Sequence, residues 1–160
     1  VRYVFLLLAG SILLGVWGCN RRVNSPEDIN SIDSVDVDIP VFGTDSTLDI
    51  VTWNIQNFPK LGQETVTAVA AIMKTLNADV YGIEEIEDTT SFRQLLNLLP
   101  AYAGTYSLDI YFDGSYQKTG VIYKKSVVTI SDKQMLFTND SYSFPRPPLQ
   151  VYIASQSNLR

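Results

Sequence analysis

Apolar positions follow three regimes along the chain. Residues 3–18 are almost continuously apolar, residues 20–47 hold no persistent period, and from Leu48 strand-like and helix-like patterns alternate. Leu48-Asp49-Ile50-Val51-Thr52-Trp53, β-branched and aromatic and stopping at Asn54, predicts a first strand. Val66, Val69, Ala70, Ile72, Met73 and Leu76 lie near one face of a helix over Gln63–Leu76, which Asn77 can end. Asp79-Val80-Tyr81-Gly82-Ile83-Glu84 predicts a short strand of the kind buried on both faces of a sheet. Thr90 or Ser91 is placed to cap a second helix carrying Phe92, Leu95, Leu96 and Leu99, with Pro100 as its stop. Further strands are predicted near residues 105–112, Thr119–Tyr123, Val127–Phe137 and Leu149–Ala154. That order is an α/β arrangement with helices outside and sheet inside. Only Ser155 to Arg160 follow the last strand, with no helix to cover a second face. The expectation is therefore the first part of a larger domain.

The first regime reads as an address. Arg2 precedes the apolar run, and the small Gly18 stands before Cys19, the single cysteine. This resembles a bacterial lipoprotein signal, cleaved before a cysteine that carries lipid. The apolar run is shorter than the roughly 20 residues a spanning helix needs. Residues 1–18 are thus expected to be a signal peptide. Residues 19–47, a lipidated Cys19 and an acidic stretch of Asn, Ser, Asp, Pro and Gly, are expected to be a flexible tether. The folded part is expected to be residues 48–160, held by this resemblance at the membrane of a bacterial envelope through lipid on Cys19, outside the cytoplasm.

Charge alters this picture little. The net charge of −5 argues against electrostatic capture of a long nucleic acid, but six of the 17 acids and three of the 12 bases precede residue 48. The folded part is therefore close to −2, which selects no substrate. The lack of histidine is more informative. No Ser-His-Asp or Cys-His nucleophile and no His-based zinc site can be built from these residues.

Candidate chemistry sits where strands end. Asn54 closes the first strand, and an amide there can orient a phosphate oxygen or a metal-bound water without adding negative charge. Asn is equally a common turn residue. Glu84, Glu85, Glu87 and Asp88 are either a solvated acidic turn or a source of ligands for a hard cation. Such an ion needs only one or two carboxylates beside substrate phosphate and water. Arg146, within Phe144-Pro145-Arg146-Pro147-Pro148, has the geometry to clamp a phosphate oxygen. The alternative is that it pins a loop whose prolines fix the turn before an edge strand. Tyr116 and Lys118 are polar groups placed to serve as a rim.

Taken together, Ile50-Val51-Thr52-Trp53-Asn54-Ile55-Gln56-Asn57-Phe58, Ala78-Asp79-Val80-Tyr81-Gly82-Ile83-Glu84-Glu85-Ile86, Gln117-Lys118-Thr119-Gly120-Val121-Ile122-Tyr123-Lys124 and Phe144–Val151 resemble the endonuclease/exonuclease/phosphatase family. The resemblance spans about residues 48–154, roughly half of a full family domain. It implies an incomplete four-layer α/β/β/α sandwich of the DNase I-like type. By the same resemblance Glu85 is the metal ligand, Glu84 fills a position often held by Gln, and Asn54 is a catalytic and metal-site residue. Arg146, Tyr116 and Lys118 become substrate-binding candidates, and the cofactor becomes Mg²⁺ or Mn²⁺. The implied function is metal-dependent phosphoester hydrolysis by the complete form, acting on nucleic acid, a nucleotide or a phospholipid head group. The family's closing Ser-Asp-His has no counterpart in a chain without histidine, so these 160 residues are expected to be an inactive fragment. The competing expectation is a non-catalytic or decayed envelope lipoprotein, a surface-binding module. No stable protein partner is implied.

Overall fold

The computed structural model describes residues 38–107 and 117–156. The expected signal peptide, Cys19, most of the expected tether, Tyr116 and much of the strand expected at 105–112 lie outside the described residues. Among the described residues no helix is long and apolar enough to cross a membrane.

The elements run β1 (Ile50–Phe58), α1 (Gln63–Leu76), β2 (Val80–Ile86), α2 (Thr89–Leu98), β3 (Tyr102–Tyr106), β4 (Lys118–Lys124), β5 (Val128–Met135) and β6 (Leu149–Ser155). The helix expected over Gln63–Leu76 has those limits. Asn77 ends it in the left-handed conformation, its N–H donating to the Met73 carbonyl, because a short polar side chain tolerates that region. Helix α2 starts earlier than expected. Its cap is Asp88 rather than Thr90 or Ser91, with the carboxylate accepting from the N–H groups of both. A carboxylate offers two acceptors where a hydroxyl offers one, and it suits the positive end of the helix dipole.

The Ser91 hydroxyl, followed by the Thr90 N–H, holds the Asp88 carboxyl below the usual aspartate range. Replacing Asp88 with Ala is expected to cost about 1 kcal/mol of folding stability, read as a lower urea midpoint with an unchanged slope. A depressed folded value means that this contribution is complete above the ordinary aspartate range. It is lost as pH falls through the folded value. A deficit that persists undiminished in strong acid would sink the assignment.

Four strands form one sheet in the order β1-β2-β4-β3, with β1 parallel to β2 and the remaining pairs antiparallel. Parallel neighbours need a crossover, which α1 supplies. The inward residues Val66, Val69, Ala70 and Met73 of α1 and Phe92 and Leu95 of α2 join Ile55, Tyr81, Ile83 and Ile122 in one apolar cluster. Alternation along the strands sends Ile50, Thr52, Asn54 and Glu84 to the other face, where all four are exposed. Among the described residues, strands β5 and β6 pair only with each other, as an antiparallel ribbon. Pro148 and Leu149 at the start of β6 line a cleft with Thr52, Gly82, Thr119 and Val121.

The first strand departs from expectation in a way that matters for the site. It continues past Asn54 to Phe58, and its pairing is irregular there: Asn54 faces Glu84 but Phe58 faces Ile86. Four steps along β1 therefore match two along β2. Strand β2 is irregular against β4 as well, with Ile83 facing Gly120 and Ile86 facing Lys118. Extra residues in a ladder bend the strand and re-aim its side chains.

Candidate metal and phosphate site at the ends of β1 and β2

Three residues in these irregularities hold left-handed backbone: Gln56 (φ 41°), Asn57 (φ 53°) and Glu85 (φ 62°). Such values are uncommon outside glycine, and strain of this kind gathers at functional sites where surrounding bonds maintain it. The bonds are present. Glu85 Oε1 accepts from Asn54 Nδ2 at 3.0 Å, and Glu85 Oε2 accepts from the Asn57 backbone N–H at 3.1 Å. Asn54 Oδ1 in turn accepts from the Gln56 N–H at 2.9 Å. Below the site, the N–H groups of Glu87 and Asp88 donate to the Phe58 carbonyl at 2.9 and 3.2 Å, so the two strand ends are tied together.

Gln117 completes the ring. Its Nε2 donates to Asn57 Oδ1 and, at 3.1 Å, to Glu87 Oε1. Asn54, Gln56, Asn57, Glu85, Gln117 and Arg146 line one open pocket of about 610 Å³. The Asn54 amide is the largest influence holding the Glu85 carboxyl below the usual glutamate range, with the Asn57 N–H and the Arg146 charge acting in the same direction. Both effects stabilise the anion.

Asn54, Glu85 and Arg146, named from sequence, are therefore brought together. Arg146 is exposed, so its guanidinium is accessible at the pocket edge. Lys118 is not part of this lining. It is buried at 5% exposure on the side of β4 shared with Ile122. Glu84 points away from Glu85, into the cleft beside Thr52 and Gly82. The pocket residues that sequence reasoning did not single out are Gln56, Asn57 and Gln117. For Gln56 and Asn57 the available signal was a pair of successive polar residues before Phe58-Pro59, where the alternation Trp53-Asn54-Ile55-Gln56 breaks, and Gln117 had no such signal.

The donor set fits a hard divalent cation. Among the described residues no three acidic, His or Cys side chains gather as a closed metal cage, and Mg²⁺ or Mn²⁺ does not ask for one. It is commonly held by one or two carboxylates with water and substrate oxygens completing the shell. Glu85 is an ionised, oriented carboxylate open to the pocket. Both side-chain polar atoms of Asn54 are engaged, one with Glu85 and one with Gln56. Its first role is thus to set Glu85.

Comparison with known proteins bears on the fold and the family. A search among curated proteins gave no match. Among solved structures, the chain is similar to humanized D. rerio TDP2 carrying 14 mutations, with a TM-score of 0.51 at 16% identity. That alignment covers 68% of this chain and 45% of the other. It is also similar to D. rerio TDP2 complexed with single-strand DNA product, with a TM-score of 0.55 at 18% identity over 70% of this chain and 42% of that one. The chain spans less than half the length of these structures, and at such identities the likeness concerns the fold, which is α/β of the DNase I-like type. The model of the Endonuclease/Exonuclease/phosphatase family matches residues 51–152. With a match across most of its length, the chain belongs to the endonuclease/exonuclease/phosphatase family.

Proposed function

We propose that this pocket is the metal-holding part of a phosphoester hydrolase centre, with Mg²⁺ or Mn²⁺ on Glu85. The observation that supports it best is the double anchoring of the Glu85 carboxylate, by the Asn54 amide and the Asn57 N–H, opposite Arg146. Members of the family generally use divalent metal ions. A metal bound here would supply Lewis-acid polarisation of a phosphoryl oxygen. The chain's own residues do the positioning. Glu85 stays ionised because its partners favour the anion, Asn54 fixes its rotamer, and Arg146 offers a planar donor pair to a phosphate. Without histidine, these residues include no imidazole general base, so binding rather than turnover is the activity assigned to this chain.

Single-stranded nucleic acid is the favoured substrate class. One of the structurally similar proteins is complexed with single-strand DNA product, and the pocket here is open to solvent. Attachment to a bacterial envelope through Cys19 is part of the same reading, supported by the sequence pattern alone. The test is fluorescence anisotropy of a labelled single-stranded oligonucleotide with and without Mn²⁺. Binding should strengthen with Mn²⁺, reverse with chelator and weaken about tenfold on Arg146→Ala, roughly the loss of one charge-assisted contact. Binding indifferent to both chelator and Arg146 would reject the proposal in favour of a non-catalytic surface module.

A further inference from the structure

Gln117 stands apart from the other pocket residues because it belongs to neither β1 nor β2. It precedes β4, across the sheet from Asn57, yet its amide reaches both Asn57 Oδ1 and Glu87 Oε1. Its own Oε1 is shielded from solvent and makes no hydrogen bond. The side chain is therefore not consumed in pairing with its own strand.

Two carboxylates, Glu85 and Glu87, flank the same asparagine. With the Asn57 amide turned over, its nitrogen lies 3.2 Å from both Glu85 Oε2 and Glu87 Oε1. With the Asn57 oxygen toward Gln117 Nε2, the two residues form a bridge of neutral amides between the acids, through the Asn57 N–H to Glu85 and Gln117 Nε2 to Glu87. The turned-over amide would instead meet both acids itself and set its nitrogen against that of Gln117. Neutral donors hold carboxylates in place without cancelling their charge. An Arg or Lys here would fix the geometry equally well but would oppose a cation.

Asn57 has a second duty. Its backbone N–H is one of the two donors on Glu85, and it is presented from a turn in which Gln56 and Asn57 both keep left-handed backbone. Two such residues in succession cost free energy that local contacts must offset. The Gln117 bond to the Asn57 side chain is a contact from outside the loop that does so.

We infer that Gln117 is a positioning residue for the metal site, acting through Asn57 to hold Glu85 in the geometry that receives a divalent ion. This rests on the reading of Glu85 as the metal ligand. It assigns to the residue before β4 a role that otherwise resides only in β1 and β2. Supports of this kind change metal affinity by about 10–100-fold when removed.

The experiment is titration of the 160-residue chain with Mn²⁺, followed by electron paramagnetic resonance, in which bound ion loses the sharp signal of free ion. Gln117→Ala should weaken Mn²⁺ about tenfold while the thermal midpoint stays close to the parent. Gln117→Met, which keeps bulk and reach without the amide, should do the same and covers a packing defect in the Ala variant. In an Asn57→Ala background, Gln117→Ala should weaken binding no further, since residues that act as one unit are not additive. A merely structural side chain would give no such coupling. Parent-like affinity in the Gln117 variants, additive losses with Asn57→Ala, or unfolding of both Gln117 variants overturns the inference while leaving Glu85 as ligand. If Glu85→Ala binds Mn²⁺ like the parent, the metal reading itself fails, and this inference fails with it.

Discussion

Replacing Glu85 with Ala is expected to remove Mn²⁺ binding, with an affinity loss of at least about 100-fold by calorimetry, the upper end of what even supporting residues contribute. Two features make this residue decisive. Among the described residues no three acidic, His or Cys side chains gather, so no carboxylate cluster is left to hold the ion once Glu85 is gone. Its anionic form is also favoured by three partners, the Asn54 amide first and the Asn57 N–H and Arg146 charge after it. Glu85→Gln keeps the shape and one oxygen but brings an amide nitrogen against donors that need acceptors, so it should fail nearly as completely. The depressed Glu85 value has a pH consequence. Protons compete with the ion only below the ordinary glutamate range, so Mn²⁺ binding should persist into mild acid. In Asn54→Ala the chief cause of the depression is gone, and the acid limit of binding should move upward. Parent-like affinity in folded Glu85→Ala would refute the site.

The sequence carried the helices of this fold well and the strand ends poorly, for one physical reason. A helix face repeats over many residues, so Val66, Val69, Ala70 and Met73 announced α1, and Asn77 its end, from periodicity and cap chemistry. Strand ends are set by partners distant in sequence. Nothing between Asn54 and Phe58 reveals that β1 continues through two left-handed residues, because the cause is β2 pairing beside it with a shifted register. The cap of α2 was missed by the same kind of margin. Asp88 was visible as one of an acidic group, but its role depends on the local backbone that presents it to Thr90 and Ser91.

The candidate site divides along the same line. Asn54 and Glu85 could be read because strand-end position and residue type together suggest them. Asn57 left only a break in strand alternation and Gln117 left nothing, since their contact joins residues 60 positions apart and two amides carry no charge signature. Lys118 illustrates the converse. Sequence offers a lysine next to a site as a surface group, whereas strand alternation turns it to the buried side with Gly120 and Ile122. One step in register separates a pocket residue, Gln117, from a core residue, Lys118.

At the opposite end of the sheet, Asp79→Ala is expected to destabilise the fold by about 3–5 kcal/mol, the range for breaking a buried ion pair from one side. The Asp79 side chain is 3% exposed and sits 3.0 Å from Lys124 Nζ. Its other oxygen accepts from the Asp49 backbone N–H at 3.0 Å. The Asp79 carbonyl accepts from the Lys124 N–H, and its N–H donates to the Asp49 carbonyl. One residue thus joins the starts of β1 and β2 to the end of β4. Removing the carboxylate leaves the Asp49 N–H without its acceptor and the largely buried Lys124 ammonium with the Asn77 carbonyl as its remaining partner. Both are costly in a low-dielectric interior. Asp79→Asn retains an acceptor for Asp49 and should cost less, which separates the hydrogen bond from the charge. Denaturant unfolding monitored by Trp53 fluorescence reads both variants. The consequence reaches the pocket, because the same β1–β2 register that Asp79 fixes at its origin sets Asn54 beside Glu85 at its end. A loss below about 1 kcal/mol, typical of an exposed pair, would show that this contact does not hold the strands in register.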